Sequence, residues 1–365
     1  MVDVIIPVFN SRKTIEKTIM SLVIQRLAKR LWITIVDDGS TDGYDYNELA
    51  SKYRRFFDGF DVITLPENHG VGYARQVAIR STRNPWIYFI DSDDLMTQCY
   101  AFNRLIGPAV RHPNVSMVFA NCTQEAEPSE GVIGFDYEQM TYTDHKENLQ
   151  YFHGKLYSRA FIMQNGITVA PTRSNEDIAF NMAFFTLADP GSIIHINFST
   201  VVTICNKESI TRNKKSTRVY TNTNVNENMD AYNACLHAFK EVKIKLGGKL
   251  SPDTAKHFIE KYVNLFSKGM LGEFESADDR KLYQMINTLF YRDIIKPILN
   301  ANGIQRKLDN SVVCNNPFNY WSNETYENHP LPDIYTWSEN ALKEFNQETF
   351  DELAQNKLTE VGYIG

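Results

Sequence analysis

Short apolar runs alternate with helically spaced ones through the first half of the chain. Val2–Val8, Trp32–Val36, Val62–Leu65 and Trp86–Ile90 read as strands, Val115–Ala120 as a fifth, and Ile193–Ile204 as one or two more. Between them, Ile15, Ile19, Leu22 and Val23 recur at helical spacing behind Ser11, which reads as their N-cap, and Val71–Arg80 reads as a second helix. Strands alternating with helices predict an α/β sheet. From Thr217 to Asn228 the composition shifts to Asn and Thr, which predicts a linker. Beyond it Ala255, Phe258, Ile259, Tyr262 and Phe266 share one helical face, entered by Ser251-Pro252. Leu282, Met285, Ile286, Leu289 and Phe290 repeat that pattern until Asn302-Gly303. Asn315–Trp337, rich in Asn, Pro and aromatic residues, reads as a loop, and an acidic helix closes the chain. The expected organisation is a domain at 1–216, a linker at 217–228 and a mostly α-helical region at 229–365.

Composition narrows the class. With 365 residues, 43% hydrophobic and 22% charged, the chain can bury a substantial core, which excludes a disordered, collagen-like or coiled-coil protein. No apolar run approaches the roughly 18 residues that a membrane span requires. No basic region precedes Val4-Ile5-Ile6, so no secretory leader is read and the cytoplasm is the expected location. Five cysteines without a CxxC pair support neither a disulfide framework nor a zinc knuckle. The net charge of −6 is uneven: from Glu324 onward nine acids face only Lys343 and Lys357, so the first 323 residues carry about +1. The densest basic stretch, Lys207 to Arg218, lies among Ser, Thr and Asn and suits either an anion or plain solvent.

Three acidic clusters fall where strands should end: Asp37-Asp38, Asp91-Ser92-Asp93-Asp94 and Glu176-Asp177. Ligands of open α/β sheets gather outside the carboxyl ends of strands. An Asp there is equally good turn chemistry, so Asp37-Asp38 alone decides nothing. In an extended chain a spacing of two puts Asp91 and Asp93 on one side. Two carboxylates so close call for a cation or a basic group between them. Hard oxygen ligands suit Mg²⁺ or Mn²⁺, usually in company with a diphosphate. His69, His153 and His195, lacking HxxxH or HExxH spacing, read as structural.

VIIPVFN (Val4–Asn10), IVDDGSTD (Ile35–Asp42), ENHGVGYAR (Glu67–Arg75) and YFIDSDD (Tyr88–Asp94) together resemble the family 2 inverting glycosyltransferases of GT-A fold. GKLYSRAFIMQNGI (Gly154–Ile167), SNEDIAFN (Ser174–Asn181) and the Ser209-Ile210-Thr211 ending extend the resemblance over about residues 2–212. It implies a Rossmann-like mixed central sheet flanked by helices, and a metal-assisted enzyme drawing on a nucleoside-diphosphate sugar, UDP first. By the same resemblance Pro7, Phe9 and Asn10 would line the base pocket, and Asp38, with Asp37, would hold uracil or ribose. Gly70 and Gly72 would let backbone approach the donor, and Arg75 would neutralise diphosphate or hold a carboxylate. Asp91 and Ser92 would face the donor. Asp91 and Asp93 would hold Mn²⁺ or Mg²⁺, and Asp177 would be the general base.

The acceptor is not legible at this level, because one fold serves many substrates. A glycan is the first expectation. A hydroxymethylated base in DNA, as in resembling bacteriophage enzymes, is the second; Arg26, Lys29, Arg30, Lys52, Arg54 and Arg55 would then contact phosphate, in a host cytoplasm. A non-catalytic sugar-nucleotide-binding module ranks lower because Asp91, Asp93 and Asp177 are all present, and a nucleotidyltransferase because it would not explain Glu176-Asp177 after GKLYSRAF. The helical region, with its amphipathic faces, is expected to shape acceptor choice or to mediate homo-oligomerisation.

Overall fold

The computed structural model describes residues 1–125, 140–141, 151–204, 225–247, 276–301 and 334–360, with isolated positions between 250 and 274. The chain divides into two compact units, Met1–Lys214 and Lys215–Gly365.

The first unit is built on a mixed sheet in the order β3-β2-β1-β4-β8-β6-β9-β5, with a short β7 also paired to β9. These strands are β1 (Val2–Val8), β2 (Leu31–Asp37), β3 (Gly59–Thr64), β4 (Trp86–Phe89), β5 (Leu95–Met96), β6 (Met117–Glu125), β7 (Met140–Thr141), β8 (Lys155–Ser158) and β9 (Ile193–Ile204). β3, β2, β1 and β4 run parallel, and β8 pairs antiparallel with both β4 and β6. All seven residues of β1 are buried, the continuous apolar run expected of a parallel strand covered on both faces. The one ionisable residue in β1, buried Asp3, accepts from the Arg83 and Asn84 backbone N–H groups and from Asn84 Nδ2, so its charge is fully answered. β9 is a single strand whose register against β6 shifts around Asn121, which answers the choice between one strand and two.

The chain runs outward from β1 to β2 and β3, then returns to β4 on the other side of β1. The strand order therefore reverses between β1 and β4, and in open α/β sheets the region beyond the carboxyl ends at such a switch point is where a ligand crevice forms. Helices α1 (Ile15–Val23), α2 (Tyr46–Tyr53), α3 (Val71–Ser81), α4 (Ala101–Arg111), α5 (Arg159–Asn165) and α6 (Glu176–Leu187) complete the unit. Ser11 does not cap α1. The helix starts at Ile15 with Thr14 as N-cap, because a turn intervenes in which the Ser11 carbonyl accepts from the Thr14 and Ile15 N–H groups. The Ser11 hydroxyl lies instead 2.8 Å from Ser92 Oγ.

The second unit is helical. α7 (Val225–Lys245) begins inside the 217–228 stretch that reads as a linker, and helical positions follow between 255 and 266. Ala277–Phe290 continues through a π-helical turn, Tyr291–Ile295, into Lys296–Ala301, and Ile334–Glu344 and Gln347–Glu360 complete the set. The apolar faces meet within the unit: Tyr262 lies against Phe290 and Tyr291, and Trp337 stands edge-on to Phe266 at 4.9 Å. The expected loop therefore ends before Ile334, not at Trp337. Ile334 and Ser338 face inward one turn apart, a helical period masked by the Asn, Pro and aromatic residues preceding it. Lys207–Arg218, Ser209-Ile210-Thr211 and the aromatic residues Tyr320, Trp321 and Tyr326 lie outside the described residues.

Gly72, in the first turn of α3, is where the fold is least tolerant. A Cβ there would lie 2.1 Å from the Ala170 carbonyl oxygen and 2.7 Å from that of Thr172, both backbone atoms. Gly72→Ala should therefore destabilise the first unit by about 1–3 kcal/mol, the usual cost of overpacking, as read from its denaturant midpoint. An unchanged midpoint would mean that the 170–172 segment yields freely.

Candidate functional site

Beyond β1 the chain passes through Phe9, 45% exposed, and Asn10, which adopts a left-handed conformation with φ 53°. Asn10 Oδ1 accepts from the Thr41 and Asp42 N–H groups at 2.7 and 3.1 Å, fixing the turn after β2. Pro7 is buried within β1 opposite Val36. Asp37 accepts from the Ser40 N–H, while the two Asp38 oxygens accept from the His69 and Gly70 N–H groups at 2.8 Å each. Asp38 thus anchors the loop entering α3. Gly70 sits at that entry with φ 94°, where a side chain would also meet Arg173. The close approach permitted by Gly72 is to the 170–172 backbone, a different partner from the donor expected of it.

Arg75, one turn into α3, is 4% exposed. Its Nη2 donates to Asp91 Oδ1 at 2.6 Å, its Nη1 donates to Glu176 Oε1, and its guanidinium carbon lies 4.9 Å from the centroid of the Phe152 ring. Of the two roles expected for Arg75, the geometry realises the second: it holds two carboxylates, 85 residues apart in sequence.

The Asp91–Asp94 segment is a turn closed by the Asp94 N–H donating to the Asp91 carbonyl at 3.1 Å, not an extended chain. The turn carries Asp94, rather than Asp93, to the side of Asp91. Both meet His153, whose Nε2 lies 3.1 Å from Asp91 Oδ2 and 2.7 Å from Asp94 Oδ2. Asp91, Asp94 and His153 present ligand atoms within 4.8 Å of one another, a donor set of two carboxylates and one imidazole that suits Mn²⁺. Asp93, expected to share a metal with Asp91, is not among these three. His153, expected to be structural, is. The missed signal was its position just before GKLYS, where β8 runs antiparallel to β4 and brings the start of the strand beside the acidic turn.

Electrostatics divide the acids. Burial opposes ionisation of Asp91, yet Arg75 and His153 outweigh it and hold its pKa below the ordinary carboxylate range. Asp93 is pushed up to about 6 by burial and then by Asp91 and Asp94. Burial disfavours a charged His153, but Asp91 and Asp94 overcome it and raise its pKa well above the ordinary value. At the head of α6, Glu176 is pushed up to about 7 by burial and the adjacent Asp177, against the pull of Arg75. Asp177 is raised by burial too, with Arg75 opposing. The two differ in access: Glu176 is buried and bound to Arg75, while Asp177 is partly exposed and accepts the Ile178 N–H at 2.7 Å.

Residues 3–165 match the family model described as glycosyl transferase family 2. An N-acetylglucosaminyltransferase of Azorhizobium caulinodans is 31% identical over 118 residues, 32% of this chain and 29% of that one. A poly(ribitol-phosphate) beta-glucosyltransferase of Bacillus spizizenii is 35% identical over 95 residues, 26% of this chain and 15% of that one. The matches thus take in less than a third of these relatives' own length. The crystal structure of S. aureus TarS 1-349 in complex with UDP-GlcNAc superimposes with a TM-score of 0.62 at 18% identity, covering 82% of this chain and 83% of that one. Shared fold, ordered motifs and family match lead to one conclusion: residues 3–165 carry a glycosyl transferase family 2 match on a domain of GT-A fold.

Proposed function

We propose that the chain transfers a sugar, with inversion, from a UDP-sugar to a glycan hydroxyl. The observation that carries this reading is the division of labour in the crevice. Glu176 is consumed by Arg75, whereas Asp177 beside it is partly exposed, with a raised pKa, as a general base should be. The acceptor oxygen bonds to the anomeric carbon, the bond from that carbon to the diphosphate breaks, and Asp177 takes the hydroxyl proton. Exposed Phe9 and the Asn10 turn, at the end of β1, offer a face for the base. Asp91, Asp94 and His153 would hold a divalent cation, which when bound offsets charge on the departing diphosphate. Arg75, already committed to two carboxylates, contributes orientation rather than a cation for the phosphates.

UDP-GlcNAc in the TarS structure supports UDP as the nucleotide, and the name of the Bacillus spizizenii relative supports a cell-surface polymer rather than DNA as acceptor.

A panel of sugar nucleotides offered with Mn²⁺ to glycan and DNA acceptors in parallel should give transfer from a UDP-sugar to a glycan, abolished by EDTA. Transfer untouched by EDTA would remove the metal, and a strongly salt-sensitive transfer to modified DNA would replace the acceptor. Asp177→Asn should lower transfer by roughly 10²–10⁴-fold while donor binding persists. Because the base works only when deprotonated and its pKa is raised, wild-type activity should climb with pH to a plateau reached well above the ordinary Asp value of about 3.9. An acid limb at that ordinary value, or near-normal transfer by the variant, would move the base elsewhere.

A further inference from the structure

His153 reaches Asp91 and Asp94 from a stretch of backbone, 151–154, that precedes β8, and one doubly bonded carbonyl fixes that stretch. The Tyr151 carbonyl oxygen accepts from Lys155 Nζ and, at 3.2 Å, from Asn181 Nδ2. Asn181 is fully buried in α6, one helical turn beyond Asp177, and its Oδ1 accepts from the buried Tyr157 hydroxyl at 2.8 Å. Burying an amide and a lysine is costly unless their hydrogen bonds are made, so this network has few other arrangements to relax into. Its two donors come from different elements, α6 and β8, and they converge on the backbone two residues before His153.

We propose that Asn181 is a positioning residue that ties the helix carrying Asp177 to the segment carrying His153, and so holds the imidazole in register with Asp91 and Asp94. The proposal rests on the reading of Asp91, Asp94 and His153 as a divalent-cation site. It assigns to Asn181, and to Lys155 as the second donor to the same carbonyl, a role that neither can play by touching substrate, since both are buried.

The test is direct Mn²⁺ binding to the full-length protein, followed by electron paramagnetic resonance without donor or acceptor. Asn181→Ala and Lys155→Met should each weaken Mn²⁺ binding about 10-fold or more, the usual consequence of removing a group that orients a ligand. The double variant should be little worse than the weaker-binding single one, because both changes release one carbonyl. Tyr157→Phe, which leaves both donors to Tyr151 in place, should bind Mn²⁺ as wild type does. Melting temperatures separate unfolding from loss of register, and if one variant does not fold the other decides. Unchanged Mn²⁺ affinity in the folded variants, or an equal loss in Tyr157→Phe, overturns the positioning role while leaving the cation site intact. A wild-type protein that binds no Mn²⁺ overturns the cation site and the positioning role together.

Discussion

One buried guanidinium organises the crevice. Arg75 is enclosed within the first unit with Asp91 on one side, Glu176 on the other and the Phe152 ring against its carbon. A charge so placed is tolerable only when its partners are fixed, and a buried carboxylate is tolerable only beside such a charge. The three therefore depend on one another. Through Asp91 the constraint reaches the acidic turn after β4 and His153; through Glu176 it reaches the first turn of α6 and leaves the neighbouring Asp177 partly exposed. Segments 85 residues apart in sequence are held at one end of the sheet by a single side chain.

The same constraint explains why neighbouring acids behave differently. Asp91, beside Arg75 and His153, stays ionised, while Asp93, one residue past Ser92, is pushed up to about 6 by burial and by Asp91 and Asp94, which outweigh the pull of His153. Lys155, buried in β8, is pushed down to about 8 by the same loss of solvent. Charge is thus concentrated where the sheet's switch point opens, and the surrounding interior is arranged to tolerate it.

Much of this was legible in the sequence. The continuous apolar runs of β1, β2 and β4 placed the parallel sheet, and carboxylates following them marked the crevice. The legible features were those dictated by local chemistry: burial period, Gly at the α3 entry, acids at strand ends. What escaped depended on pairing between distant segments. Nothing local shows that Asp91–Asp94 closes into a turn that brings Asp94 to the side of Asp91. Nothing local shows that β8 is antiparallel to β4, the pairing that brings His153 beside the acidic turn. Ser11 fits a cap by residue type, yet its hydroxyl lies beside that of Ser92. In the second unit the helical period of Ile334, Trp337 and Ser338 was obscured by the aromatic, Asn-rich stretch before it.

The dependence of the crevice on Arg75 has a direct thermodynamic reading. Arg75→Met removes the cation and leaves Asp91 and Glu176 without it, Glu176 fully enclosed. The cost falls on the ionised carboxylates, so it grows as pH rises above their unfolded values and shrinks as they are protonated. The unfolding free energy of the first unit, compared with wild type, should fall by about 3–5 kcal/mol at pH 8 and by clearly less at pH 5. A loss below about 1 kcal/mol, equal at both pH values, is what an exposed ion pair would give, and it would contradict the account.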